Sequence, residues 1–150
     1  MTNKRYITQE DIKHSCLDIV QQMYKDDWRP DFIVGVTRGG LWPAMMLSHY
    51  LGIKMFTLDV RMRDGDEKEH CEWLIDEATC GTNILIIDDI NDTGETFSWI
   101  RNDWGVLENN LRFAALLDNV PSQFDVDYSS IEINKAEDPA WIVFPYEEWW

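Results

Sequence analysis

The feature that most restricts the fold of this chain is a regular exchange of short apolar runs with segments of helical periodicity. FIVGV (32–36) runs into TRGG and then into LWPAMMLSHYLG (41–52), whose apolar spacing is helical and which Gly52 closes. MFTLDV (55–60) alternates like a strand, ILII (84–87) reads as a buried strand, TFSWIRNDWGVL is helical, and FAALL (113–117) is a further strand. Ahead of them, Thr8 and Asp11 have the spacing of a helix cap. Ile12, Cys16, Ile19, Val20 and Met23 then recur on one helical face until Asp26, Asp27 and Trp28-Arg29-Pro30. Such alternation predicts an α/β fold: a mostly parallel twisted sheet with helices on both faces, its ligands gathered at the carboxyl ends of the strands. The length of 150 residues predicts a single domain over 1–150, enough to bury about two thirds of the unfolded surface.

Two segments interrupt the alternation. The polar stretch RMRDGDEKEHCEW, with Gly65 in it, predicts a mobile loop over about 61–75. From Val120 the chain turns irregular and aromatic (PSQFDVDYSS, then DPAWIVFPYEEWW), with too little pattern for another sheet unit. A small hood over one end, about 119–150, is expected instead. The 28 acidic residues against 13 Lys plus Arg give a formal charge of -15, but 45% hydrophobic content excludes a disordered acidic tail. That charge argues against nucleic acid or an anionic membrane as partner, so an anionic ligand needs a local device to hold it. No run approaches 18 apolar residues, and MTNKRYITQEDIKH lacks the apolar middle of a signal peptide; a cytoplasmic location is the expectation. Cys16, Cys71 and Cys80 lack CxxC spacing and read as reduced thiols, and His70 beside Cys71 lacks the ligand count of a zinc site.

The string ILIIDDINDTGET (84–96) carries the chemistry. An ordinary turn after a buried strand does not need three acids. A Walker-type loop is excluded, because Gly94 stands alone with no lysine after it. A receiver-type magnesium cluster draws its acids from separate strands, and a capped helix start would not require the acid pair. A third reading has the turn wrap a phosphate: the N–H groups of Thr93 to Thr96 and the hydroxyls of Thr93 and Thr96 would surround it at the positive end of the next helix. Asp88 and Asp89 would then accept hydrogen bonds from vicinal hydroxyls of the attached sugar.

These residues resemble the signature of the type I phosphoribosyltransferases: aliphatics, two acids, two or three variable positions, then Thr-Gly with Thr or Ser following. The resemblance implies that Asp88 and Asp89 hold the ribose of phosphoribosyl pyrophosphate (PRPP). It implies that Asp92, Thr93, Gly94, Glu95 and Thr96 form the 5-phosphate loop, and that Arg38, Gly39 and Gly40 bind pyrophosphate. Mg2+ is the implied cofactor, with Asp89 as metal ligand. Arg61, Arg63 and Lys68 fall where the family has its flexible lid. DPAWIVFPYE is similar to the tail of bacterial and archaeal xanthine-guanine and related purine phosphoribosyltransferases, which implies Trp141 stacked on a purine and Ile142 at its 2-substituent, with Asp127 and Tyr128 shaping the hood. Where those enzymes carry a Lys at the 6-oxo group, this chain is expected to place Asn119. The resemblance further implies Asp92 as the acid managing the proton of the base, a 6-oxopurine (guanine, xanthine or hypoxanthine) as acceptor in purine salvage, and a homodimer or tetramer. The alternatives are a non-catalytic, nucleotide-sensing regulator of the same fold and a phosphoribosyltransferase for another base.

Overall fold

The computed structural model describes residues 3–60 and 71–150. Five parallel strands form the main sheet in the order β3-β2-β4-β5-β6: β2 (Phe32–Val36), β3 (Lys54–Leu58), β4 (Ile84–Asn91), β5 (Leu111–Asn119) and β6 (Tyr128–Ile133). The α/β architecture expected from the alternation is the one found. Helices α1 (Gln9–Lys25) and α2 (Leu41–Leu51) cover one face, and α3 (Glu72–Thr79) and α4 (Glu95–Trp104) cover the other.

Successive side chains of a strand point to opposite faces, so a strand covered on both sides must be apolar throughout. β4 shows it. Leu85 and Ile87 join the core with Ile12, Ile19 and Met23 of α1, while Ile84 and Ile86 join Phe97, Ile100 and Trp104 of α4. The reciprocal cap of α1 is present: Asp11 N donates to Thr8 Oγ1 at 3.0 Å, and Thr8 N donates to Asp11 Oδ2 at 2.9 Å. The face of α1 read from the sequence, Ile12 to Met23, is the buried one.

The tail departs from expectation. Tyr128–Ile133 forms β6, pairing in parallel with β5 from Ala114↔Tyr128 to Asn119↔Ile133. Its pattern was hard to read because an edge strand buries little, and its serine segment is bound to α1 through polar groups. Gln22 Nε2 donates to Ser129 O at 2.6 Å, and Ser130 Oγ donates to Asp18 Oδ2 at 2.7 Å. A second surprise is β1 (Lys4–Tyr6), which pairs in parallel with β7 (Trp141–Val143), so both ends of the chain build the hood.

Of the segment expected to be a loop, Glu72 to Ile75 belong to α3, with Leu74 fully buried. Arg61, Arg63 and Lys68 lie outside the described residues, as does His70. Among the described residues no group of three or more His, Cys, Asp or Glu is placed to hold a metal ion, and no helix is long and apolar enough to cross a membrane.

Candidate functional site

The strand that carries the acids is the middle one of the sheet, and it runs on through Asp88 and Asp89 to Asn91. Asn91 anchors its end, its buried amide donating to Asp118 Oδ1 at 2.9 Å and to Phe124 O at 2.8 Å. The chain then turns through Asp92 and Thr93 into Gly94, whose φ of 90° admits glycine far more readily than any side chain. A Cβ at Gly94 would also lie 2.7 Å from Phe124 N and from Ser122 Oγ, so the β5–β6 connection braces the turn from behind. Gln123 N donates to Thr93 O at 3.0 Å and completes that support. α4 has no capping side chain at its N-cap Gly94, and Thr93 Oγ1 accepts from its Glu95 N–H at 3.3 Å. Its first N–H groups face the turn with the positive end of the helix dipole behind them.

Two pockets adjoin this turn. The smaller, about 210 Å³, is lined by Asp88, Asp92, Thr93, Gly94, Glu95 and Thr96. The larger, about 1000 Å³, is lined by Arg38, Gly39, Asp89, Asp92, Trp141 and Ile142, with Lys135 and Tyr146 beside them. Asp88 and Asp89 are successive strand residues and open onto different pockets, while Ile90 and Asp92 border both. A ligand lying across the Ile90–Asp92 rim reaches both carboxylates.

Burial pushes the Asp88 carboxyl well above the usual carboxylate range, and the neighbouring charge of Asp89 adds to the rise. Asp89 is raised by burial as well, partly offset by the hydrogen bond it receives from Tyr146. Hydroxyl donors or a cation would relieve this pair. Of the pair, Asp89 is the one that lines the large pocket, and Mg2+ suits a site with one or two carboxylates completed by phosphate oxygens and water.

The Arg38–Gly40 loop packs directly on β4. A Cβ on Gly39 would lie 2.0 Å from Asp89 Oδ2, and one on Gly40 would lie 2.3 Å from Ile87 O. Gly40 is thus needed for packing of the loop on the sheet, and Gly39 alone of the two lines the pocket. α2 begins at Leu41 after an N-cap Gly40 that makes no side-chain bond, with no acid in the first turn; the Leu41 N–H is held by Arg38 O at 3.1 Å and Pro43 has none, so this end adds its dipole to the large pocket beside Arg38.

In the hood, Trp141 is 54% exposed and so is not part of the core. Ile142 is buried at the pocket wall. Asn119 is a correction: it does not line the pocket. It is 6% exposed, its Nδ2 donates to Asp92 O at 2.9 Å, and its Oδ1 accepts from Lys135 N at 2.9 Å. Its hydrogen-bonding groups are spent on the backbone, leaving little for a ligand. Lys135, which the sequence reading did not single out, occupies the pocket instead, its Nζ 2.9 Å from Asp92 Oδ2. It lies two residues past β6, so a reading without that strand had no frame in which to place it. Tyr146 was missed likewise; its hydroxyl donates to Asp89 Oδ2 at 2.6 Å.

The fold is thus an α/β sheet on which two helix N-termini, an acid pair and an exposed indole meet at adjoining pockets, at the carboxyl ends of the strands where ligands of such folds gather. The phosphoribosyl transferase domain family matches residues 4–148, and the chain belongs to that family. It is 31% identical over 129 residues to a xanthine-guanine phosphoribosyltransferase of Cereibacter sphaeroides (strain ATCC 17025 / ATH 2.4.3), a match covering 80% of this chain and 70% of that protein. Its fold is similar to the crystal structure of a purine phosphoribosyltransferase from Pyrococcus horikoshii Ot3, with a TM-score of 0.74, 26% identity, and coverage of 97% and 95% of the two chains. A Helicobacter pylori xanthine-guanine-hypoxanthine phosphoribosyltransferase shares the fold at a TM-score of 0.73, 17% identity and the same coverage.

Proposed function

We propose that this chain transfers the phosphoribosyl group of PRPP to a 6-oxopurine, releasing pyrophosphate, as a step of purine salvage. The observation that carries this reading is the meeting, in one pocket, of the acid of β4, the Arg38–Gly39 loop, the exposed Trp141 and the Lys135–Asp92 pair.

The 5-phosphate fits the small pocket, where the amides of the first turn of α4 and the hydroxyls of Thr93 and Thr96 meet it; Glu95 remains at the exposed rim. Ribose then lies across the rim, its hydroxyls on Asp88 and Asp89. Arg38 and the first turn of α2 receive the pyrophosphate. Mg2+, when bound, would be held by Asp89 and would neutralise charge on the leaving group.

The base fits between Trp141 and the wall at Ile142, bringing its edge to Lys135 and Asp92. Lys135 keeps two N–H donors beyond the one on Asp92, and a cation at this edge favours an exocyclic oxygen over an amino group, which would set donor against donor. This assigns to Lys135 the part expected of Asn119. Asp92, with one oxygen on the ammonium, offers the other to the purine N–H as proton acceptor while ribose C1 loses pyrophosphate through an oxocarbenium-like state and the base attacks from the opposite side. Asn119, holding the Asp92 carbonyl, fixes where that carboxylate stands.

The test is direct. The pure protein with Mg2+, PRPP and guanine, xanthine, hypoxanthine or adenine in turn should release pyrophosphate with the 6-oxo bases and much more slowly with adenine. Release with none of the four overturns the reading as an enzyme and favours a nucleotide sensor; adenine as the best acceptor overturns the role of Lys135.

A further inference from the structure

The Tyr146 hydroxyl joins three parts of the site that are far apart in sequence. It donates to Asp89 Oδ2 at 2.6 Å, and Gly39 O stands 3.2 Å away on the Arg38–Gly40 loop. The ring has little freedom. It stacks on Phe144 with centroids 5.5 Å apart and planes 1° from parallel, and Trp42 in the first turn of α2 packs on it at 5.5 Å. The turn that presents it is closed at both ends: Phe144 N donates to Glu147 Oε1 at 3.1 Å, and Glu147 N donates to Phe144 O at 3.0 Å. Between this turn and Trp141 the chain is β7, with Ile142, Val143 and Phe144 all buried. The indole and the phenol are thus joined by a short stretch of packed chain.

Building on the phosphoribosyl-transfer reading, we propose that Tyr146 is a positioning residue that couples the base-binding hood to the sugar-binding acid. A carboxylate has about four acceptor positions, so one phenol bond leaves Asp89 free to receive ribose hydroxyls while it fixes the orientation of the carboxylate. The same bond ties the hood to β4. Sugar binding that holds Asp89 in place also holds Tyr146, and with it the wall against which the base stacks; by linkage, base binding must strengthen sugar binding by the same factor.

Tyr146→Phe removes the hydroxyl and keeps the ring between Phe144 and Trp42. The experiment measures, by calorimetry, the Kd of 9-deazaguanine, which has carbon at the attacking position and cannot be transferred, with and without saturating PRPP and Mg2+. Steady-state KM for PRPP and kcat are taken on both proteins, and melting curves confirm folding. In the wild type PRPP should tighten 9-deazaguanine by about 5-fold or more. In Tyr146→Phe that factor should fall to about 1, the KM for PRPP should rise about tenfold, the size expected for a hydrogen bond to a charged group, and 9-deazaguanine should bind the PRPP-free protein as before.

An unchanged coupling factor in the variant, or no coupling in the wild type, overturns the proposal. So does a variant that weakens 9-deazaguanine equally with and without PRPP, since that marks a structural role. A wild type that binds no PRPP at all overturns the functional reading itself, an outcome distinct from the others.

Discussion

Gly39→Ala is the sharpest single perturbation of this site. The added methyl would stand 2.0 Å from Asp89 Oδ2 and 2.3 Å from its Cγ, where ordinary contact begins at 3.4 Å, so loop and carboxylate must separate by about 1.4 Å. The loop has little room to give way, because Gly40 behind it lies against Ile87 O and Val36. Asp89 must then swing, and the 2.6 Å bond from Tyr146 breaks. Overpacking of this kind costs about 1–3 kcal/mol, which for a chain of this size lowers Tm by about 2–4 °C per kcal/mol. The catalytic loss is larger in proportion, since a misplacement of about 1 Å costs on the order of a hundredfold. The variant should remain folded, melt a few degrees lower, and lose about a hundredfold in kcat/KM for PRPP, with 9-deazaguanine binding to the PRPP-free protein changed far less. Pyrophosphate release, calorimetry and thermal melting read all three. A variant with kcat/KM within threefold of wild type would refute the claim that Asp89 must stand where it does.

Three further substitutions probe the remaining parts. Asp92→Ala should bind PRPP normally and lose about a hundredfold to ten-thousandfold in kcat, the range of a general acid or base; a near-normal rate would make Asp92 a structural support for Lys135 and Asn119. Lys135→Met should reduce the preference for guanine or hypoxanthine over adenine by about tenfold, read as a ratio of kcat/KM values, and an unchanged ratio would remove Lys135 from the base edge. Gly94→Ala should lower stability by about 1–3 kcal/mol and weaken PRPP binding, because both its φ of 90° and the nearby Phe124 N oppose a side chain; calorimetry and melting curves measure both effects.

Much of this molecule was legible along the chain. The apolar runs at 32–36 and 84–87 are β2 and the start of β4, the Thr8 cap begins α1, and the acid pair stands before the Thr-Gly turn toward the end of β4, because each of these depends on residues within a few positions of one another. β6 was not legible. Its side chains serve an edge, with serine contacts to α1 replacing part of the apolar pattern. With no strand to fix the frame there, counting back from Asp127-Tyr128 led to Asn119 as the residue at the base.

Sequence by itself determined the α/β layering and the turn from β4 into α4, since periodicity and a Thr-Gly turn after an acid pair are local properties of the chain. Tertiary structure decided which side chains share the pocket. Lys135 meets Asp92 across 43 positions and Tyr146 meets Asp89 across 57, and such pairs are set by how the tail returns over the sheet. The physical reason is that a local pattern records which face of an element is buried, whereas the partner a polar side chain finds depends on the path of the chain between them.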